Sequence, residues 1–495
     1  MDESKPKDTL DAATGIAGLD DILCGGFSPD RLYLIEGAPG AGKTTLALQF
    51  LIEGARGGKP MLYVTLSETE EELRAVAAAH GWSLDGITIR ELVPAEDSLK
   101  PAQQYTMFHP SEVELSETTN LILEDVERVK PARVVFDSLS ELRLLAGNAL
   151  RFRRQLLALK QYFRGRNCTV LLLDDMVGDR DLQVQSIAHG VILLEQQVPE
   201  FGGERRRLQV LKIRGKRYRG GLHDYAIRTG GLEVFPRLVA AEHRAEHGAR
   251  RLSSGLAELD ALLGGGIEEG TSTLILGAPG TGKSTIAALF AAAAAQRGDK
   301  AALLIFDESS NTLFGRTESL GIPLREQREA GRVMVRQIDP AELSPGEFTH
   351  AIRRYVEVEG ARVVVIDSLN GYLSAMPGDR FLTLHLHELL MYLGQRGVAT
   401  ILVGAQQGLI GSQMVSSVDA TYLADAVILM RYFELRGEVR QVISVVKKRG
   451  GDHERSIREF RMESGRLHVG EPLRDFRGVL TGTPIQESGP QKAAE

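Results

Sequence analysis

Two segments of this chain carry the residue types needed to hold a nucleoside triphosphate: Gly37-Ala-Pro-Gly-Ala-Gly-Lys-Thr44 and Gly277-Ala-Pro-Gly-Thr-Gly-Lys-Ser284. Gly37, Gly40 and Gly42, and their counterparts Gly277, Gly280 and Gly282, let successive backbone N–H groups turn toward phosphate oxygens. Lys43 and Lys283 are spaced to reach the β- and γ-phosphates, and the Thr44 and Ser284 hydroxyls to coordinate Mg2+. Thr45 and Thr285 complete the phosphate-contacting turn. A Gly-rich turn alone is a weak signal. Each of these, however, follows a short apolar run (Leu32 to Ile35; Thr273 to Leu276) and precedes a helix-forming stretch (46–53; 286–296). That is the strand, loop and helix order a phosphate-binding loop requires.

Carboxylates recur at fixed places around these loops. Asp137 closes Val134-Val-Phe-Asp, and Asp367 closes Val364-Val-Ile-Asp. A carboxylate at such a strand end holds magnesium directly or through water, although a strand-terminal Asp alone is often a helix cap. Hydrolysis also needs a group that orients water and accepts its proton. The candidates follow the second apolar run in each half: Ser67-Glu68, and Asp307-Glu308. The competing role for both segments is a helix N-cap with an acidic first turn, since Glu70, Glu71 and Glu72 follow directly in the first half.

The elements that must position these groups are duplicated. Asp20 and Lys43 stand 240 residues before Asp260 and Lys283, and Thr14-Gly-Ile-Ala-Gly-Leu-Asp20 resembles Ser254-Gly-Leu-Ala-Glu-Leu-Asp260. A period that long means whole domains, each with its own core. In each half, buried-looking strands alternate with helical stretches, predicting an α/β fold with a mainly parallel sheet flanked by helices. The expected division is a polar segment 1–10, a first domain 11–240, a linker 241–251, a second domain 252–480 and a mobile tail 481–495.

Composition narrows the class. The chain has 495 residues, 43% hydrophobic and 25% charged, with net charge −7. There is no long apolar run to span a membrane and no secretory core near the N-terminus, so a cytoplasmic location is expected. Cys24 and Cys168 cannot build a disulfide framework and are expected to be buried small hydrophobes. The acidic balance argues against a nucleic-acid coat protein.

Tyr432-Phe-Glu-Leu-Arg-Gly437, Leu211-Lys-Ile-Arg-Gly215, Lys447-Lys-Arg-Gly450 and Phe476-Arg-Gly-Val-Leu-Thr-Gly-Thr-Pro484, together with the paired loops and strand-end acids, resemble the KaiC family of tandem RecA-like ATPases. The resemblance covers about Thr14 to Pro484. It implies a homohexamer with ATP at the subunit interfaces, hydrolysis in the first ring, and hydrolysis plus serine/threonine autokinase activity in the second. It further implies that Lys212 and Arg214, and Lys447 and Arg449, reach the nucleotide of a neighbouring protomer. Control by clock partner proteins does not follow from it, and protein signalling partners in a signalling or stress-response role are the open alternative.

Two departures from the family pattern stand out. The first domain has Ser67 where the family has the first of two Glu residues, and serine cannot act as a comparable base at neutral pH. First-domain hydrolysis then falls to Glu68, or the domain only binds nucleotide. The adjacent Ser-Thr acceptors of the family fall on Thr421-Tyr422, leaving Thr421, with nearby Ser416 and Ser417, as phosphoacceptor candidates. Two other functions compete with this one. A DNA-linked RecA-type motor would use the basic run Arg205-Arg-Arg207, Lys212, Arg214, Lys216, Arg217 and Arg219. A nucleotide-gated scaffold would need little catalysis.

Overall fold

The computed structural model describes residues 11–92, 110–175, 182–199, 202–245, 248, 250–374, 381–407, 415–416, 421–463, 465–481 and 485–486. The N-terminal segment 1–10, most of the tail and the candidate acceptor Ser417 lie outside the described residues. The chain divides into two compact units, Met1–Arg237 and Leu238–Glu495.

The first unit is built on a nine-stranded sheet ordered Ile87–Glu91, Met61–Thr65, Arg133–Asp137, Thr169–Asp175, Leu32–Gly37, Gly190–Gln197, Arg205–Ile213, Leu222–Arg228 and Gly231–Phe235. Its first six strands run parallel and the last three antiparallel. The second unit repeats that order: Val333–Gln337, Lys300–Ile305, Ala361–Asp367, Ala399–Gln407, Ser272–Gly277, Ala426–Leu435, Glu438–Lys448, Arg458–Glu463 and Arg466–Pro472. The short strand Val415–Ser416 pairs with Ala399–Gln407.

The central strands Leu32–Gly37 and Ser272–Gly277 are buried along their whole length. Apolar clusters cover both faces of each sheet, which is why these strands read as continuous rather than alternating hydrophobic runs. The helices after the loops, Lys43–Ala55 and Lys283–Gln296, begin on the lysine itself, three residues earlier than the sequence pattern suggested. Ala291–Ala295 in the second are all buried; alanine favours the helix and keeps its packed face slim.

Leu238 and Ala240 belong to the second unit's core, and Arg250 pairs with Glu269 and Asp299 there. Cys168 is buried, and burial pushes its thiol up to about 12. The expectation for Cys24 fails: it is exposed at a left-handed turn of φ 52°, just after the helix Ala17–Ile22, where no apolar neighbour covers its side chain enough to bury it.

Candidate functional site

The parallel strands deliver their C-terminal ends to one edge of each sheet, where Gly37 and Gly277 open the phosphate-binding loops. Gly42 and Gly282 cap the following helices with φ of 91° and 98°, a conformation a side chain would strain. Helix N–H groups there face the loop, making a ready anion site.

In the first unit, Lys43 Nζ donates to the carbonyls of Gly37 and Ala38 at 2.9 and 3.1 Å and forms an ion pair with Asp175 at 2.8 Å. Thr44 Oγ1 donates to Asp137 Oδ2 at 3.0 Å, and the buried Tyr63 hydroxyl donates to the same oxygen at 2.6 Å. Burial holds the Asp137 carboxyl above its usual range against those hydrogen bonds. Glu68 lies beside it. Its carboxyl is also pushed up, first by burial and then by Asp137, and its buried Oε2 has no hydrogen-bond partner among the described residues. Ser67 is exposed.

Capping is performed by neighbours. Thr69 and Glu72 form a reciprocal capping box on the helix Glu70–Ala79, and Ser309 caps Ser310–Ser319. Glu68, Asp307 and Glu308 precede those helices and are free of the capping role. The backbone N–H of Glu68 instead donates to Thr65 Oγ1 at 2.9 Å, fixing the turn that carries it.

The second unit opens a cavity of about 620 Å³ onto Lys283, Ser284, Asp307, Glu308, Arg316 and Asp367. Lys283 Nζ donates to the Ala278 carbonyl at 2.8 Å, and burial lowers its pKa. Asp367 is pushed up to about 6, chiefly by burial, with Glu308 and Asp307 adding to the rise and a hydrogen bond from Ser284 opposing it. Asp307 accepts a hydrogen bond from Ser368. Glu308 pairs with Arg316 at 2.6 Å, and the same guanidinium donates to Thr285 Oγ1 at 2.6 Å.

These donor sets fit a magnesium–triphosphate. Each pairs a hydroxyl with a carboxylate whose charge is costly where it stands, and a bound cation relieves that cost. Thr44 with Asp137, and Ser284 with Asp367, would hold the metal, whose contribution is to neutralise phosphate charge.

The four cations expected to reach a neighbouring protomer's nucleotide lie away from the phosphate-binding loops of their own units. Lys212 pairs in register with Val191, and Lys447 with Val427, at the N-terminal ends of strands whose C-terminal ends flank the loops. Lys212 donates to the Gln185 carbonyl and Arg214 to the Ser186 carbonyl at 2.7 Å. Lys447 donates to the Thr421 and Ala424 carbonyls at 2.7 and 2.8 Å, and Arg449 to the Tyr422 carbonyl at 2.7 Å. Thr421 therefore shares that end of the sheet, opposite its own chain's Lys283. Ser416 sits on the short strand paired with Gln406.

Asp175 and Arg316 were missed in the sequence. Asp175 had a faint signal, the acidic pair Asp174-Asp175 closing a strand. Arg316 had none, since an Arg on a polar helix reads as a solvated residue.

Two phosphate-binding loops on duplicated, mainly parallel sheets, each facing a strand-end Asp, define a tandem nucleotide-binding α/β protein with RecA-like domains. The chain belongs to the KaiC ATPase family, whose model matches residues 12–239 and 252–474. It is 26% identical over 481 residues to the circadian clock protein KaiC3 of Synechocystis sp., covering 95% of this chain and 94% of that one. It is 26% identical over 490 residues to the circadian clock oscillator protein KaiC of Thermosynechococcus vestitus, covering 97% and 92%. No helix among the described residues is long and apolar enough to cross a membrane.

Proposed function

We propose that this protein is a magnesium-dependent ATPase that assembles as a homohexameric double ring, with catalysis concentrated in the second domain. The observation that carries the proposal is the second-unit cavity, where Lys283, Ser284, Asp367, Asp307 and Glu308 converge around a space of about 620 Å³. Lys283 would bind phosphate, Ser284 and Asp367 the metal, and Asp307 with Glu308 would orient water and accept its proton.

Assembly is supported by the position of Lys447 and Arg449. They are too far around their own sheet to serve their own loop, and a neighbouring protomer would bring them to bear on phosphate charge. Lys212 and Arg214 would do the same in the first ring. Thr421 lies with Lys447 and Arg449, so phosphorylation of Thr421 would draw on the ATP of an adjacent subunit; Ser416 and Ser417 are the alternative acceptors. A timing role through protein partners in the cytoplasm is supported by the likeness to circadian clock proteins, with a signalling or stress-response role as the alternative.

The first domain supports a second reading, as a nucleotide-gated scaffold. Lys43 is engaged by Asp175, and Ser67 supplies no base. A DNA motor is disfavoured because half of the basic run is held in ion pairs: Arg206 pairs with Glu204, Arg207 with Asp224, Lys216 with Asp11 and Arg219 with Asp21.

The test is incubation with Mg2+ and γ-labelled ATP, following free phosphate and protein-bound label together. Phosphate release with label on Thr421, Ser416 or Ser417 supports ATPase plus autokinase. Release without label removes the kinase part, and neither product removes the proposal.

A further inference from the structure

Among the charged groups lining the second-unit cavity, Arg316 does something the others do not. It spans two elements. One nitrogen donates to Thr285 Oγ1 on the helix that carries Lys283 and Ser284, and another to Glu308 Oε1 on the turn after Lys300–Ile305, both at 2.6 Å. The first unit lacks this bridge: 240 residues earlier the position is Val76, packed against an apolar cluster, and the matching Glu68 keeps a buried oxygen without a partner.

We infer that Arg316 is a positioning residue for hydrolysis in the second domain, tying the Glu308 carboxylate to the phosphate-binding helix. The inference rests on Glu308 acting as base in the proposed ATPase. A base carboxylate needs one oxygen free to accept the water proton. Arg316 engages only Oε1, so it fixes the carboxylate's orientation and leaves Oε2 for the water. Because the guanidinium is planar with several donors, it can hold both partners at once; a lysine ammonium offers a single charged point and cannot span them equally well. A flexible Glu on a turn loses reactivity through wrong orientations, and a rigid bridge to the helix removes them.

The experiment is a double-mutant cycle of Arg316→Ala and Glu308→Gln in the otherwise wild-type protein, with phosphate release above that of a Lys283→Ala protein taken as the second domain's. The expected result for Arg316→Ala is a fall in kcat of about 10- to 100-fold with the KM for ATP changed by less than about threefold. Combined with Glu308→Gln, it should lower kcat no further, since both changes disable one device. Arg316→Lys should recover part of the loss, and binding of a fluorescent ATP analogue by each variant checks that the site still folds.

Multiplicative losses in the double variant would overturn the inference. So would a raised KM with unchanged kcat, which makes Arg316 a nucleotide contact. If Glu308→Gln alone leaves turnover intact, the base assignment fails. If Lys283→Ala removes none of the wild-type turnover, the proposed ATPase of the second domain fails, and each of these last two outcomes takes the inference with it.

Discussion

The two nucleotide sites share a fold, a loop and a strand-end Asp, yet the charge around the loop lysine differs. In the first, Gly37 pairs in register with Asp175, and that carboxylate holds Lys43 at 2.8 Å. In the second, Gly277 pairs with Ala405, and the acids sit instead at Asp307 and Glu308 across the cavity. One site thus has a carboxylate competing with phosphate for its lysine and a serine where a base is expected. The other has a loop lysine with no ion pair among the described residues, and two carboxylates across the cavity. A duplicated scaffold can divide binding from catalysis by moving a few charges, with no change in strand order.

The largest effect should come from removing the second site's acids. Asp307→Asn with Glu308→Gln in the Lys43→Ala background is expected to cut phosphate release by at least about 100-fold while ATP is still bound, read by paired turnover and binding assays. The reciprocal change, Ser67→Glu in a Lys283→Ala background, should raise first-domain turnover by about tenfold if only the missing carboxylate limits it. No rise would mean that the difference between the sites lies elsewhere.

Asp175→Asn should tighten ATP binding to the first site by about tenfold, roughly 1.4 kcal/mol, because phosphate no longer competes with a carboxylate for Lys43. Ala405→Asp should weaken the second site in return. Titration with a fluorescent analogue measures both, and an unchanged or weaker affinity in Asp175→Asn would show that the pair supports the loop rather than opposing phosphate.

A smaller asymmetry concerns acid stability. His223 is buried in the first unit, its ring bonded to the Arg219 carbonyl and the Arg237 N–H, and burial pushes its pKa down to about 4. The register-equivalent residue in the second unit is Arg458, paired with Glu454. Unfolding frees His223 to titrate near its ordinary value of about 6.5, so the unfolded chain binds more protons between those values. The contribution is complete above about pH 6.5 and is lost as pH falls toward 4, by up to about 3 kcal/mol. Thermal melts across that window should show the loss in the wild type and a flatter profile in His223→Gln.

Much of this was legible because it is local. The loops announce themselves within eight residues, and Asp137 and Asp367 end unmistakable apolar strands. The role of Asp175 was hidden because it depends on pairing between Thr169–Asp175 and Leu32–Gly37, well over a hundred residues apart. Arg316 was hidden because its partners lie eight and 31 residues away and on different elements. The edge strands Ile87–Glu91 and Val333–Gln337 escaped because they are short, half-exposed and mixed in polarity. Their place is set by the neighbours that pair with them.

The most direct measurement compares steady-state phosphate release by Lys43→Ala and Lys283→Ala proteins under saturating Mg2+ and ATP. The expected result is that Lys283→Ala loses most of the wild-type turnover while Lys43→Ala keeps it. A protein that loses its turnover with Lys43→Ala and keeps it with Lys283→Ala would contradict the division of labour between the two sites.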